Sequence, residues 1–111
     1  MPYCETIEKI ILPTAKTGLT SYGTKDIFSG ALKNLTLEGT IYFNFRCSKA
    51  KSLSADSMLN IFNCLDTTAS STTRTLTIPT ATKTRYDEKY GDWDTKVAYY
   101  STNGNWTFSI V

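Results

Sequence analysis

A repeated spacing between strand-like segments is the feature that most constrains the fold of this chain. Three segments carry two apolar residues separated by one, and these pairs begin at Phe43, Leu76 and Phe108. The two intervals between them are nearly equal at roughly 32 residues, a length typical of strand–helix repeat units. Such units stack side by side, and a helical crossover returns each strand in the same direction. The spacing therefore predicts an α/β solenoid with short parallel strands. A small α/β sandwich with chance spacing is the alternative.

Alternation of apolar and polar residues predicts five strands. They cover residues 7–12, 32–37, 41–47, 74–78 and 106–110. In the second strand Leu35 and Leu37 point to one face, and Asn34 and Thr36 to the other, because side chains alternate along a strand. Residues 26–30 are predicted to form one helical turn.

Two main helices are predicted, and the clearer one covers residues 54–65. Ser54 is a good N-cap residue, because its hydroxyl can accept a hydrogen bond from the first turn. The apolar residues Met58, Ile61, Phe62 and Leu65 follow at helical spacing, so one stripe faces a core.

The second predicted helix covers residues 92–102. Asp92 or Asp94 can cap it, Trp93, Val97 and Tyr100 share a face, and Asn103-Gly104 supplies the turn after it.

Composition and charge argue against several classes of function. A chain of 111 residues suffices for a single domain over residues 1–111, and a net charge of +2 is too weak to predict nucleic-acid binding. No signal peptide and no apolar run of membrane-spanning length are present, so we expect no membrane insertion.

The sequence lacks the residues of a zinc site. Histidine is absent and no CxxC pair occurs. Cys47 and Cys64 are expected to be buried free thiols, with a disulfide between them as the alternative.

The sequence offers no recognisable catalytic motif or cofactor-binding motif, and we therefore expect a protein that is not an enzyme and has no cofactor. The one dense acidic cluster contains Asp87, Glu88, Asp92 and Asp94, interleaved with two lysines. A solvated, ion-paired helix entry is the preferred interpretation of this cluster. Carboxylates of a small hydrolase or a calcium site are the alternatives, although the EF-hand spacing is not met.

Two surfaces are candidates for binding a partner. The first is the polar side of the predicted strands, which is rich in hydroxyl groups and has few charges. Its candidate residues are Asn34, Thr36, Tyr42, Asn44, Arg46, Thr75, Thr77, Thr107 and Ser109. The second is an aromatic patch, since exposed aromatic side chains often anchor partners. Its candidate residues are Tyr86, Tyr90 and Tyr99.

Several segments resemble BspA-like leucine-rich-repeat proteins. Residues 32–37, Leu-Lys-Asn-Leu-Thr-Leu, follow Ile27-Phe28 as the L-x-x-L-x-L strand follows a Phe-containing turn in that family. Residues 53–63, the strand Thr75-Leu76-Thr77-Ile78 and the closing Asn105-Trp106-Thr107 look like the C-terminal segment of the same proteins. The segment 85–93 departs from the pattern, and residues 86–91 within it are interpreted as an insertion.

This resemblance implies a function. Such segments occur in bacterial surface proteins and in phage tail or minor structural proteins, where they act as structural or adhesive protein-interaction modules. The chain would then be the C-terminal fragment of a longer repeat protein at a cell surface or in a virion. Self-association through end strands is expected, since a truncated solenoid exposes strand edges. A glycan-binding module that uses the aromatic patch is the alternative.

Overall fold

The computed structural model describes residues 6–11, 32–42, 44–68 and 73–111. Within these residues, short strands are followed by helices along the chain. The elements are β1 (Thr6–Ile11), β2 (Asn34–Glu38), β3 (Phe45–Arg46), α1 (Ala55–Cys64), β4 (Arg74–Ile78), α2 (Thr80–Tyr90), α3 (Trp93–Gly104) and β5 (Trp106–Ile110). The expected turn at residues 26–30 and the side chain of Phe43 lie outside the described residues.

All of the described strand pairings are parallel, and neighbouring strands follow each other in sequence order. β1 pairs with β2, and a second sheet has the order β3-β4-β5. Phe45 lies opposite Leu76, which lies opposite Phe108. The protein is a mixed α/β domain with short parallel strands, which confirms that part of the prediction. The residue of β3 that aligns with Leu76 is Phe45 rather than Phe43, so the first interval is slightly shorter than the sequence pattern indicated.

The third predicted strand is shorter than the alternation indicated. Ile41 forms a parallel bridge with Leu65, at the end of α1, instead of pairing with β4. Its N–H donates to Cys64 O at 2.6 Å, and its carbonyl accepts from Asp66 N at 3.1 Å. Because the chain pairs with the residues after α1 at this point, only two residues remain for the ladder with β4.

Helix α1 is where the sequence predicted it. Ser54 is its N-cap, and the hydroxyl accepts from Ser57 N at 3.2 Å. Met58, Ile61 and Phe62 are fully buried, which confirms the predicted apolar stripe.

Helix α1 also presents polar side chains to the edge of β2. Ser57 Oγ accepts from Leu35 N at 2.9 Å, and Asn60 Oδ1 accepts from Leu37 N at 2.5 Å. Asn60 Nδ2 donates back to Leu37 O at 3.2 Å. We call Ser57 and Asn60 the α1 polar stripe. It gives the backbone of β2 the hydrogen bonds that a neighbouring strand would otherwise supply.

Helix α2 was not predicted, so the expectation of two main helices is wrong for the described chain. Residues 86–91, interpreted as an insertion, fall almost entirely within it. The helix begins after Pro79 and ends at Gly91, whose φ of 68° is the left-handed conformation that glycine adopts easily. Only Thr82 and Tyr86 of this helix are buried, so the segment has almost no apolar periodicity to detect.

Polar contacts hold α2 against the segment between β3 and α1. The buried Thr82 hydroxyl donates to Ala50 O at 2.6 Å. Arg85 donates to Leu53 O at 2.6 Å and to Lys51 O at 3.1 Å. Lys89 forms an ion pair of 2.8 Å with Asp56 of α1.

Helix α3 buries Trp93 and Tyr100, with Val97 packed against the same core, as predicted. The predicted turn at Asn103-Gly104 is wrong by one position. Gly104 is the last helical residue, and Asn105 adopts the left-handed conformation with φ 56°. Asparagine tolerates this region because its side chain can form local hydrogen bonds.

An aromatic cluster connects the helices to β5. The Phe62 ring lies 5.3 Å from Tyr86, 5.1 Å from Trp93, and 5.8 Å from both Tyr100 and Phe108.

Cys47 and Cys64 are buried free thiols, which confirms the preferred expectation and rules out the disulfide between them. Burial raises the pKa of the Cys64 thiol, so this group is held in its protonated form.

Candidate interaction surface

The polar sheet face, defined by the outward strand residues predicted from the sequence, begins on β2. Asn34 and Thr36 are exposed, whereas Leu35 and Leu37 between them are buried. This alternation places the side chains of β2 as the sequence predicted, with the apolar side in the core and the polar side toward solvent.

On the second sheet, strand register aligns the predicted residues in two rows. Arg46, Thr77 and Ser109 form one row, and Thr75 and Thr107 form the next. Thr107 is exposed, and Arg46, Thr75 and Ser109 are half-buried. Thr77 is 7% exposed, so its inclusion in an exposed surface is wrong. It lies on the central strand, between Arg46 and Ser109 in its own row.

Two other predicted residues contribute to the fold. Asn44 is exposed, but its Oδ1 accepts from Thr75 N at 2.8 Å and replaces a ladder bond where β3 is too short to provide one. Tyr42 is half-buried, and its carbonyl accepts from Arg74 Nη1 at 3.5 Å. The polar sheet face therefore offers a partner mainly Asn34, Thr36 and Thr107.

The predicted aromatic patch does not form. Tyr86 is 0% exposed and belongs to the core, which corrects its assignment to a binding surface. Its hydroxyl donates to Asp92 Oδ1 at 2.6 Å, and burial together with this carboxylate raises the pKa of Tyr86 well above its usual range. Burial of its ring against Phe62 explains why the side chain is inaccessible.

The other two predicted tyrosines are exposed and lie in different settings. Tyr90 is 37% exposed, and its hydroxyl donates to Asp56 Oδ1. This hydrogen bond to a carboxylate raises the pKa of Tyr90. Tyr99 is 53% exposed and borders a shallow groove on α3. The groove is lined by Asp92, Thr95, Lys96, Tyr99 and Tyr100.

The acidic cluster does not gather at one point. Asp87 and Glu88 lie on the exposed side of α2, whereas the Asp92 carboxylate accepts from Tyr86. The ion pair expected within this segment instead joins Lys89 to Asp56 of α1. Within the described residues, no group of three or more acidic or cysteine side chains is arranged to hold a metal ion.

The structure also contains a buried charged cluster that the sequence did not reveal. Arg74, at the start of β4, is 6% exposed and forms an ion pair of 2.7 Å with Asp66. Its guanidinium donates to the carbonyl oxygens of Asp66 and Thr68, each at 3.4 Å, and to that of Gly104. The same group lies 4.7 Å from the centre of the Trp106 ring, a favourable cation–π contact. We call Arg74, Asp66, Gly104 and Trp106 the Arg74 cluster.

The Arg74 cluster leaves no room for a ligand. Trp106 Nε1 donates to Asp66 O at 2.9 Å, and a Cβ added to Gly104 would collide with that same oxygen. Burial raises the pKa of Asp66, but hydrogen bonds from Arg74 and Thr68 outweigh it and hold the pKa below its ordinary value. This cluster therefore serves to join β4, β5 and the end of α3.

No helix in the described part of the chain is both long and apolar enough to cross a membrane. Searches for similar proteins found no matching family model, no matching curated protein and no matching solved structure.

Proposed function

We propose that this chain is a non-enzymatic protein-interaction module, built as the terminal part of a leucine-rich-repeat-like solenoid. Its parent would be a bacterial surface protein or a phage tail protein, as the resemblance of residues 32–37, 53–63, 75–78 and 105–107 implies. The observation that carries the proposal is the strand order. Thr6 pairs with Asn34, Phe45 with Leu76, and Leu76 with Phe108, so the intervals between paired residues are similar. Repeat units of nearly constant length produce this regular parallel arrangement when they stack.

The polar sheet face is the proposed binding surface. Parallel strands place the outward side chains of each sheet in rows of short hydroxyl and amide groups, one set on β2 and another on β3, β4 and β5. The exposed residues of the polar sheet face are Asn34, Thr36, Asn44 and Thr107, and Asn44 is already bonded to Thr75 N. Short side chains lose little conformational entropy when a partner covers them, so such a surface favours contact with a folded protein. Arg46, on the edge strand β3, adds a half-exposed positive charge.

The test is a binding screen against a panel of purified extracellular proteins and an array of glycans. A protein that binds is then measured with the variant Thr36→Arg/Thr107→Arg. A bulky charge at both positions should weaken binding at least about tenfold, the loss expected when central contacts are disrupted. Thr84→Arg is the control, because Thr84 is an exposed threonine on α2 and is not part of the polar sheet face. Equal binding by both variants would contradict the proposal.

A glycan-binding module is the second candidate, and Tyr99 with its groove is the observation in its favour. An exposed aromatic ring beside a carboxylate, a hydroxyl and an amine can stack on a sugar and hydrogen-bond to its hydroxyl groups. On the same array, Tyr99→Ala should abolish glycan binding and Tyr90→Ala should not, since the Tyr90 hydroxyl is already bonded to Asp56. Glycan binding that both variants retain would exclude this site.

A further inference from the structure

The outer edge of β5 differs from the edge of β2 that faces away from β1. β5 pairs with β4 on one side, and no described strand pairs with it on the other. At the corresponding edge of β2, the α1 polar stripe supplies hydrogen bonds to the backbone of Leu35 and Leu37. Proteins usually cover or charge their strand edges, because an open edge is a template for another strand.

Hydrogen bonds identify which backbone groups of β5 point outward. Asn105 O accepts from Arg74 N at 3.1 Å, and Val111 N donates to Ile78 O at 3.0 Å. Backbone polar groups alternate in direction along a strand, so the odd-numbered residues of β5 face β4. The N–H and C=O groups of Trp106, Phe108 and Ile110 therefore face away from the sheet. The Trp106 carbonyl accepts from Ser101 Oγ at 2.8 Å, which leaves Phe108 and Ile110 as the open part of the edge.

The chemistry of this edge favours a second copy of the same strand. β5 has the sequence Trp-Thr-Phe-Ser-Ile, with no charge to repel an identical strand and no proline to interrupt a ladder. Phe108 and Ile110 are only half-buried and lie beside the open backbone groups. A pairing strand would cover their remaining apolar surface and satisfy the backbone at the same time.

We infer that two copies of this chain associate by antiparallel pairing of their β5 edges. A two-fold axis through Phe108 places Phe108 opposite its own copy and Trp106 opposite Ile110 of the other copy. All three of these residues have outward backbone groups, so this register forms hydrogen-bonded pairs at all three positions. The Trp106 carbonyl, which already accepts from Ser101 Oγ, accepts the new hydrogen bond with its second lone pair. On the polar side of the strand, Thr107 lies opposite Ser109 of the other copy. The inference rests on the solenoid part of the proposed function, in which an end strand exposes its edge.

The experiment measures the mass of the purified chain in solution by analytical ultracentrifugation from about 5 µM to about 500 µM, so that mass action reveals a reversible dimer. Two double variants then change the residues that face each other across the axis. Thr107→Lys/Ser109→Lys places like charges opposite each other and should raise the dimer dissociation constant at least about tenfold. Thr107→Lys/Ser109→Glu places opposite charges there and should leave the dimer at least as tight as in the unmodified chain.

Backbone amide exchange on the unmodified chain gives a second readout that does not depend on how the variants fold. The amides of Phe108 and Ile110 should exchange slowly at high concentration and rapidly at low concentration. The amides of Thr107 and Ser109 bond to β4 and should be protected at both concentrations. A chain that stays monomeric, or a dimer in which Phe108 and Ile110 remain unprotected, would overturn the inference. Because no ligand is added, failure here leaves the polar sheet face untouched as a proposal.

Discussion

The Arg74 cluster and the α1 polar stripe have the same structural role, but one uses a charged side chain and the other uses neutral ones. Each supplies hydrogen bonds to backbone groups at a place where the strand ladder is interrupted. The stripe uses the neutral side chains of Ser57 and Asn60 on two amides of β2. The cluster uses one charged guanidinium on four carbonyl oxygens and a carboxylate.

The difference between them lies in what remains after one partner is removed. A neutral amide that loses its partner at a partly buried position can regain a hydrogen bond from water. A buried charge that loses its counter-ion cannot recover its solvation, so its penalty is several times larger. We therefore expect substitutions in the α1 polar stripe to lower the free energy of unfolding much less than substitutions in the Arg74 cluster.

The largest effect is expected from Asp66→Asn, which keeps the shape of the side chain and removes the charge that balances Arg74. Removal of one partner of a buried ion pair costs about 3–5 kcal/mol, and the free energy of unfolding should fall by about that amount. Urea denaturation followed by circular dichroism measures it. The control is Asp87→Asn, an exposed aspartate on α2, which should change stability by less than about 0.5 kcal/mol. Similar losses in both variants would show that the ion pair contributes nothing.

Low pH should remove the stabilisation by the Asp66–Arg74 ion pair from the unmodified protein. The folded pKa of Asp66 is below its unfolded value, so the stabilisation is complete above about pH 4 and is lost as the pH falls through the folded pKa. The Asp66→Asn variant has no carboxyl group to protonate at this position. The difference in unfolding free energy between the two proteins should therefore shrink as the pH falls below about 4. A difference that stays constant down to the acid unfolding transition would contradict this assignment.

Gly104→Ala tests the packing of the Arg74 cluster rather than its charge. The new Cβ would collide with Asp66 O and would lie 2.6 Å from Trp106 Cδ1, so α3 or the strand must move. Overpacking of this kind costs about 1–3 kcal/mol. Gly91→Ala is the matched comparison, because its nearest atom lies at 3.9 Å and only the left-handed backbone, φ 68°, opposes it. That strain costs about 1–2 kcal/mol. A thermal melt in which Gly104→Ala is the milder variant would show that the site has room to relax.

The parts of the fold that the sequence predicted depend on local patterns. Ser54 and the apolar residues at helical spacing define α1, and alternation around Leu35 and Leu37 defines the two sides of β2. These features follow from residues that are close in sequence. The parallel order of the strands followed from the nearly equal intervals between apolar pairs, although the pattern selected Phe43 where Phe45 is the aligned residue.

The parts that could not be predicted depend on contacts between residues that are distant in sequence. Helix α2 buries two side chains, and Thr82 and Arg85 are held by carbonyl groups that precede α1. Whether Thr77 and Tyr86 are exposed depends on which residues pack over them, and the local sequence pattern does not predict those residues. Arg74 donates to carbonyl groups on both sides of it along the chain, and nothing in the composition near it marks a buried charge.

The smallest effect is expected from Asn60→Ala in the α1 polar stripe. It removes both hydrogen bonds to Leu37, but Cys64 Sγ still lies 3.6 Å from Leu37 O and can remain its donor. Only the Leu37 amide is left without a partner, so the free energy of unfolding should fall by about 1–2 kcal/mol. Asn63→Ala is an exposed control on the same helix, and urea denaturation should find it within about 0.5 kcal/mol of the unmodified protein. An equal loss of unfolding free energy in Asn60→Ala and Asp66→Asn would contradict the expected difference between a neutral and a charged contact. Burial of the backbone groups, rather than charge, would then determine the stability cost at both places.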